Sequence, residues 1–169
     1  MKVSAAEEYG LRCLMRLAVA RRDARSVTTA EVALAEGLSP QYAAKLMGTL
    51  RRAGLVRAVR GVRGGVLLAR APETVTIAEA FGALSGYPLR TIGGCGPGGY
   101  AGCARRDECG LREVLGTLSR LVVGFLSRVT VADLVEGTGA AVEGSLMETV
   151  RAARAVGAVG AVGETEAMT

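Results

Sequence analysis

The order of the predicted elements in the first seventy residues limits the possible folds more than any other feature of the sequence. Two capping boxes, Ser4 with Glu7 and Thr28 with Glu31, predict helices over residues 4 to about 21 and 28 to about 36. A third helix is predicted to run to residue 53 from Ser39, an N-cap that is followed by proline at the first helical position. The chain therefore begins with three consecutive helices.

Two short β-prone runs follow the third helix. Residues 55–59 and 66–69 are rich in Val and Leu and flank a glycine-rich turn, which predicts a hairpin with Arg60 and Arg63 near its tip. Three helices followed by such a hairpin form a winged helix-turn-helix, in which the third helix enters the major groove and the hairpin, or wing, contacts phosphates or the minor groove. The sequence thus predicts a mainly α fold with a small β-hairpin wing.

The charge distribution agrees with a nucleic-acid partner. Residues 1–72 contain 13 Lys or Arg and 5 Asp or Glu, whereas residues 73–169 contain 8 and 11. The basic half is expected to face a polyanion such as double-stranded DNA. Histidine is absent, which removes the commonest general base and argues against an enzyme.

The sequence also predicts a cytoplasmic protein that does not enter a membrane. The amino terminus lacks the layout of a signal peptide, and no apolar run approaches the ~18 residues that a membrane span needs. Cysteines in that reducing compartment are not expected to form disulfides. Their clustering is better explained by metal binding or redox chemistry.

The DNA-binding domain is expected to occupy residues 1–72, followed by a sensor and dimerisation region at 73–137 and a tail at 138–169. A helix is predicted over residues 76–84, and a long helix begins at Leu111 after a glycine-rich loop. Its apolar residues follow a 4-3-4-3-4 spacing, which predicts pairing with a second copy, the alternative being a helix that packs on its own domain. These residues are Leu111, Leu115, Leu118, Val122, Phe125 and Val129. The tail is expected to be poorly ordered, with a short helix near residues 146–154.

Three cysteines, Cys95, Cys103 and Cys109, form the strongest candidate metal site. Thiolates are soft ligands for iron–sulfur clusters or zinc, and the surrounding glycines let a loop wrap closely around a cluster. The alternatives are a zinc site, although no pair has the short spacing of a zinc knuckle, and three unremarkable cysteines. Three cysteines leave a fourth position, for which the candidates are Cys13, Glu7, Glu8, Asp107 and Glu108.

Two of these candidates have another explanation. Cys13 is expected to be a buried core residue, and Glu7 is engaged in a capping box. Glu8 has no local role that the sequence reveals, so a ligand role and a solvent-exposed position are both open.

The chain resembles the IscR/NsrR/RsrR family of winged-helix iron–sulfur regulators, also called the Rrf-two family. The resemblance extends from Met1 to about Gly137. It depends on five features together, which are Met1–Ser4, Leu38–Leu46, Gly54–Arg70, the three cysteines and Val131–Leu134. The resemblance implies a dimeric transcription regulator whose DNA affinity is controlled by a 2Fe–2S or 4Fe–4S cluster that senses redox state, nitric oxide or iron–sulfur status.

The same resemblance implies the ligands. Cys95, Cys103 and Cys109 bind the cluster, Glu8 is an acidic ligand from the partner subunit, and the long helix after Cys109 forms the homodimer. Two features depart from the family pattern: the gap between the first two cysteines is slightly longer, and Arg112 stands where IscR-like members have a histidine ligand. A winged-helix regulator with a zinc or thiol-switch site is the alternative function.

The predicted DNA contacts come from the start of the third helix and from the wing, the alternative being a solvated basic face. These residues are Ser39, Gln41, Tyr42, Lys45, Arg60 and Arg63. Thr28 and Thr29 are weaker candidates for phosphate contacts, because capping alone explains Thr28. A dimer of such domains would bind a pseudo-palindromic promoter operator.

Overall fold

The computed structural model describes residues 3–61, 64–86, 109–137 and 142–153. These residues form a mainly helical protein with one two-stranded antiparallel hairpin, which confirms the predicted fold class. The elements are α1 (Ala5–Arg22), α2 (Thr29–Glu36), α3 (Pro40–Arg52), β1 (Val56–Val59), β2 (Gly65–Leu68), a short 3-10 turn (Pro72–Thr74), α4 (Ile77–Ser85), α5 (Gly110–Leu126), α6 (Val131–Glu136) and α7 (residues 142–153).

The first three helices begin at the predicted caps. Ser4 and Thr28 form complete capping boxes, and the Ser39 hydroxyl accepts the backbone N–H of Tyr42. At the other end of α2, Gly37 adopts the left-handed conformation, with a φ of 65°. Glycine adopts this conformation with little steric strain because it has no Cβ. Short-range signals therefore determine where these helices start and stop.

The chain divides into two compact units. One contains Met1–Leu89 and Leu126–Thr138, and the other contains Arg90–Phe125 and Gly139–Thr169. In the first unit, α1 is central and packs on α2, α3, α4, α6 and β2. No helix in the described part of the chain is long and apolar enough to cross a membrane.

Apolar spacing predicts that Leu11, Leu14, Met15, Ala18 and Val19 form the inward face of α1, and the buried face in the structure differs from this set. Leu14 is fully buried as expected, but Val19 is 47% exposed, whereas Cys13 and Leu17 are at 0%. The reason is that α1 is covered by several elements at once, so its core-facing side is wider than one stripe and is rotated away from Val19. Helix α4 approaches α1 so closely that a Cβ on Gly10 would lie 2.4 Å from both methyl groups of Leu84.

The wing is attached to the segment between α1 and α2. Strands β1 and β2 pair antiparallel, with Val56 opposite Leu68. Val27 forms an isolated β-bridge with Val66 of β2. The Val27 N–H donates to the Val66 carbonyl at 3.0 Å, and the Val66 N–H donates to the Val27 carbonyl at 2.7 Å. A Cβ on Gly65 would lie 2.7 Å from the Val27 oxygen, so only glycine permits this approach.

Helix α6 closes the first unit and was not predicted as a helix. It begins at Thr130, which forms a capping box with Asp133. On each side of this cap the backbone joins the segment before α4, since Ile77 N–H donates to the Val129 carbonyl and Val131 N–H donates to the Val75 carbonyl, both at 2.9 Å.

The second unit contains most of α5 and all of α7. Three residues of α5 are large, apolar and exposed: Leu111 at 60%, Val114 at 64% and Leu118 at 45%. Together with the half-buried Leu121 and Phe125 they form a line with 3-4-3-4 spacing, called here the apolar stripe of α5.

The stripe differs from the predicted dimerisation seam at three positions. It contains Val114 in place of Leu115 and Leu121 in place of Val122, and Leu115 and Val122 are half-buried. Val129 lies beyond the end of α5 and is 4% exposed, because its backbone joins the segment before α4 in the first unit. In the same second unit, a Cβ on Gly124 would lie 3.1 Å from the Thr149 methyl group of α7.

Candidate nucleic-acid interface and sensor residues

Helix α3 presents a polar face that begins at its amino-terminal cap. Its other face is anchored in the core by Ala43, Leu46, Met47 and Leu50, which are buried and which the apolar spacing of the segment also predicts to face inward. On the outward side Gln41 and Lys45 are exposed, whereas Tyr42 is half-buried and its ring contacts Tyr9 of α1. Pro40 occupies the first helical turn and needs no N–H partner there. The structure therefore anchors the inner face of α3 in the core while leaving its first turns available to a ligand.

Exposed cations extend this face toward the wing. Arg60 lies at the end of β1 and is exposed, and Arg57 projects from the exposed side of the same strand. Arg51 and Arg52 are exposed in the last turn of α3. Sequence analysis did not select Arg51, Arg52 and Arg57 as DNA contacts, although all three are basic residues of the predicted recognition helix or wing. The predicted wing residue Arg63 lies outside the described residues.

Both threonines at the start of α2 have structural roles or restricted access. The Thr28 hydroxyl accepts the backbone N–H of Glu31 at 3.1 Å and donates to its carboxylate at 2.9 Å. Thr29, in the first helical position, is half-buried. The backbone N–H of Thr28 and the Arg25 guanidinium, which is 2.6 Å from the Glu31 carboxylate, lower the pKa of Glu31 to about 2.

Glu8 has a local partner that sequence analysis missed. Its carboxylate Oε1 lies 2.6 Å from Arg12 Nη2, and the two side chains are about half exposed, at 53% and 49%. A Glu four residues before an Arg on one helix is a recognised stabilising pair, so the signal was present in the sequence. The carboxylate nevertheless remains accessible on the surface of α1.

The described cysteines have opposite environments. Cys13 is completely buried, and this burial, with a contribution from the negative charge of Glu36, raises the pKa of its thiol to about 12. It is thus a core residue, as predicted, and unsuited to metal binding. Cys109 is a half-buried free thiol directly before the first turn of α5. Cys95 and Cys103, and the candidate ligands Asp107 and Glu108, lie outside the described residues.

A family model described as an iron-dependent transcriptional regulator, Rrf2, matches residues 3–137. The chain belongs to the Rrf2 family. This assignment agrees with the winged helix-turn-helix described above and confirms the resemblance drawn from the sequence. Helix α7 lies beyond the matched residues.

Individual Rrf2 relatives give the same result. The HTH-type transcriptional regulator IscR of Escherichia coli (strain K12 / DH10B) is 27% identical over 135 residues, which are 80% of each chain. The structure of CymR, the global cysteine regulator of B. subtilis, has a TM-score of 0.69 and 27% identity, covering 82% of this chain and 98% of that one. IscR of T. potens has a TM-score of 0.65 and 27% identity, covering 83% and 90%.

The family assignment determines the general activity. These relatives are transcriptional regulators and not enzymes, which agrees with the expectation from the sequence. The Rrf2 chain described here is accordingly a DNA-binding transcription regulator.

Proposed function

We propose that this Rrf2 regulator is a homodimer whose affinity for promoter DNA is controlled by an iron–sulfur cluster bound to Cys95, Cys103 and Cys109, with Glu8 of the partner subunit as the fourth ligand. The observation that supports this proposal most directly is the position of Cys109 immediately before α5. A ligand there joins the cysteine region to the helix that carries the exposed apolar stripe. Because its target is chromosomal DNA, the proposal also assigns the protein to the cytoplasm.

The proposed DNA contacts divide into two kinds. Gln41 and Lys45 are exposed at the start of α3, where side chains of a recognition helix reach base edges, and Tyr42 and the Ser39 cap lie beside them. Arg60 and Arg63 of the wing would contact phosphates or the minor groove. Thr28 and Thr29 are weaker candidates, since the Thr28 hydroxyl is used in capping.

The apolar stripe of α5 supports the dimer. A line of five apolar residues with 3-4-3-4 spacing, three of them exposed and two half-buried, is the pattern by which two helices pack in register. Monomeric soluble proteins rarely leave such a continuous apolar patch in water. Two recognition helices related by a two-fold axis would require a pseudo-palindromic operator with half-sites about 10 base pairs apart, or a multiple of this spacing.

The donor chemistry of the described ligands fits the proposed cofactor. Cys109 is a free thiol of the kind that holds iron in such clusters, and Glu8 offers an accessible carboxylate. Cys13 is excluded by its burial. A bound cluster would supply redox chemistry and reactivity toward small molecules. Because a carboxylate is a harder ligand than a thiolate, Glu8 would be the most weakly held of the four.

The signal would be redox state, nitric oxide or iron–sulfur status. A zinc or thiol-switch site on the same cysteines is the second candidate, and the similarity to CymR, a global cysteine regulator, supports retaining it. Both candidates predict the same DNA-binding half and differ in the state of the cysteines, which would hold an iron–sulfur cluster in the first and either zinc or no metal in the second.

Anaerobic purification separates these candidates. The wild-type chain should be brown, with iron and sulfide in stoichiometric amounts, and Cys103→Ala should lose both. Cys13→Ala is the matched control and should retain them. A colourless protein that holds stoichiometric zinc would overturn the iron–sulfur proposal in favour of the alternative.

The DNA and ligand assignments need separate tests. Selection from a random double-stranded DNA library should enrich a pseudo-palindromic sequence, and no enrichment by either the metal-loaded or the metal-free protein would refute the operator. Glu8→Ala should alter the cluster spectrum and shorten its lifetime, while Glu8→Cys should lengthen it. An unchanged spectrum and lifetime in Glu8→Ala would refute the fourth ligand.

A further inference from the structure

Four side chains connect the surface of α1 with the first turn of α3. Arg12 donates to the Glu8 carboxylate, and its guanidinium carbon lies 5.2 Å from the centre of the Tyr9 ring. The Tyr9 ring in turn meets the Tyr42 ring edge to face, with 6.4 Å between the ring centres and 85° between the planes. All four residues belong to the first unit.

We propose that Tyr9 is a positioning residue for the recognition helix, and that Arg12 couples the placement of Tyr9 to the contacts that the Glu8 side chain makes. The inference rests on the proposed function in one respect, which is that the first turn of α3 contacts DNA. It adds a path by which a change at the surface of α1 reaches that turn. The path needs no movement of the core.

The first turn of α3 depends on few contacts, which makes the Tyr9 ring important. Its backbone is held by the Ser39 cap, whose hydroxyl accepts the Tyr42 N–H at 3.2 Å, and its inward anchors begin only at Ala43. The Tyr42 side chain lies between this turn and α1. An edge-to-face pair at 6.4 Å is a favourable geometry for two aromatic rings, so Tyr9 restricts the orientation of Tyr42.

The charges act at the outer end of the path. Arg12 is held over the Tyr9 face by two attractions, one from the ring and one from the carboxylate of Glu8. If another group engages the Glu8 carboxylate, Arg12 loses the contact that directs it toward the face of the Tyr9 ring. Because both charged side chains are about half exposed, the effect on Tyr42 should be smaller than that of removing the ring.

Fluorine NMR can measure this coupling directly. The chain has four tyrosines, so labelling the full-length, metal-free protein with 3-fluorotyrosine gives four resonances, and Tyr42→Phe identifies the one from Tyr42. Tyr9→Leu should shift the Tyr42 resonance strongly, and Glu8→Gln and Arg12→Gln should shift it in the same direction by less. Arg16→Gln is the matched control, because Arg16 lies one turn further along α1 and pairs with Glu36 instead.

DNA binding gives the second measurement. Tyr9→Leu should weaken binding to the selected operator by about 3- to 10-fold, the range expected for one aromatic pair, and Tyr9→Phe should restore it to within about 2-fold of wild type. The melting temperature of each variant reports whether the fold is retained. Rescue by Phe distinguishes ring packing from a general loss of stability.

Different results would contradict different parts of the proposed role of Tyr9. A Tyr42 resonance that does not respond to Tyr9→Leu in a folded protein overturns the contact itself. A shifted resonance with unchanged operator affinity overturns the positioning role, and a response to Arg16→Gln equal to that of Arg12→Gln overturns the path from Glu8. If the wild-type protein binds no operator, the proposed DNA interface fails, while the resonance measurements still test the coupling between Glu8 and Tyr42.

Discussion

Replacing Gly65 by alanine should separate the wing from the segment between α1 and α2. The new Cβ would lie 2.7 Å from the Val27 carbonyl oxygen and 2.8 Å from its carbon, and both are backbone atoms that no side-chain rotation can move away. Relief of this contact requires the loss of the two hydrogen bonds between Val27 and Val66. The wing would then be held by the β1–β2 pairing and by its own side chains.

The magnitude follows from these contacts. Two backbone hydrogen bonds contribute about 1 kcal/mol each, and forcing an extra methyl group into a packed site costs about 1–3 kcal/mol when it is not relieved. The steric strain falls as the hydrogen bonds break, so the two costs do not add in full. Gly65→Ala should therefore lower the free energy of unfolding by about 2–3 kcal/mol. Operator affinity should fall as well, because the hairpin that carries Arg60 would no longer be attached to the segment before α2.

Urea unfolding followed by circular dichroism, with operator binding at fixed salt, is the assay. Gly48→Ala is the matched control, because its Cβ would meet only the end of the Arg52 side chain at 3.6 Å. Alanine inside a helix should raise stability by about 0.5–1 kcal/mol. If Gly65→Ala unfolds at the same urea concentration as wild type, the close approach of the wing to Val27 is refuted.

The other predictions concern the dimer, the DNA contacts and acid stability. Leu118→Lys should give a folded monomer in sedimentation experiments, whereas Leu34→Lys, at a residue that is 87% exposed in α2, should leave the dimer intact; a dimeric Leu118→Lys would contradict the role of the stripe. Gln41→Ala should relax base preference, while Arg63→Ala should weaken all sequences equally and reduce the salt slope by about one; identical behaviour of the two would exclude the assigned contacts. Because Glu31 has its pKa lowered to about 2, its stabilising contribution is present above its ordinary pKa of 4.5 and is lost as the pH falls toward 2. In Glu31→Gln this part of the acid transition should disappear.

Local chemistry explains which parts of the fold could be predicted from the sequence. Ser4, Thr28 and Ser39 begin helices because their side chains satisfy backbone N–H groups within the next three residues. The inward face of α3 was predicted for a similar reason, since its outer positions are polar and only one apolar stripe is available. These features need no knowledge of distant residues.

Long-range packing explains what could not be predicted. Whether Leu17 or Val19 of α1 is buried depends on how several neighbouring elements pack on this helix. The pairing of Val27 with Val66, and of the segments around Thr76 and Thr130, joins residues that are far apart in sequence. Apolar spacing extended the predicted α5 seam to Val129 because spacing contains no information about the hydrogen bond between Ile77 N–H and the Val129 carbonyl.

The candidate sensor site was accessible to sequence reasoning only in part. Burial of Cys13 followed from its apolar neighbours, and the three clustered cysteines are evident from their spacing. The pairing of Glu8 with Arg12 follows a helical rule and should have been found. The contact of Tyr9 with Tyr42 could not have been, because it depends on how α1 crosses α3.

The chain returns to the first unit only after α5, so this unit can finish folding only late in synthesis. Helix α6 packs on α1 and its cap joins the segment before α4, so the DNA-binding unit is complete only when residues up to about 138 have left the ribosome. All three clustered cysteines precede this point in the chain. A nascent chain thus exposes its candidate ligands before its DNA-binding unit can finish folding, and a chain that had emerged from the ribosome only as far as the end of α5 would display the cysteines on a protein not yet competent to bind an operator.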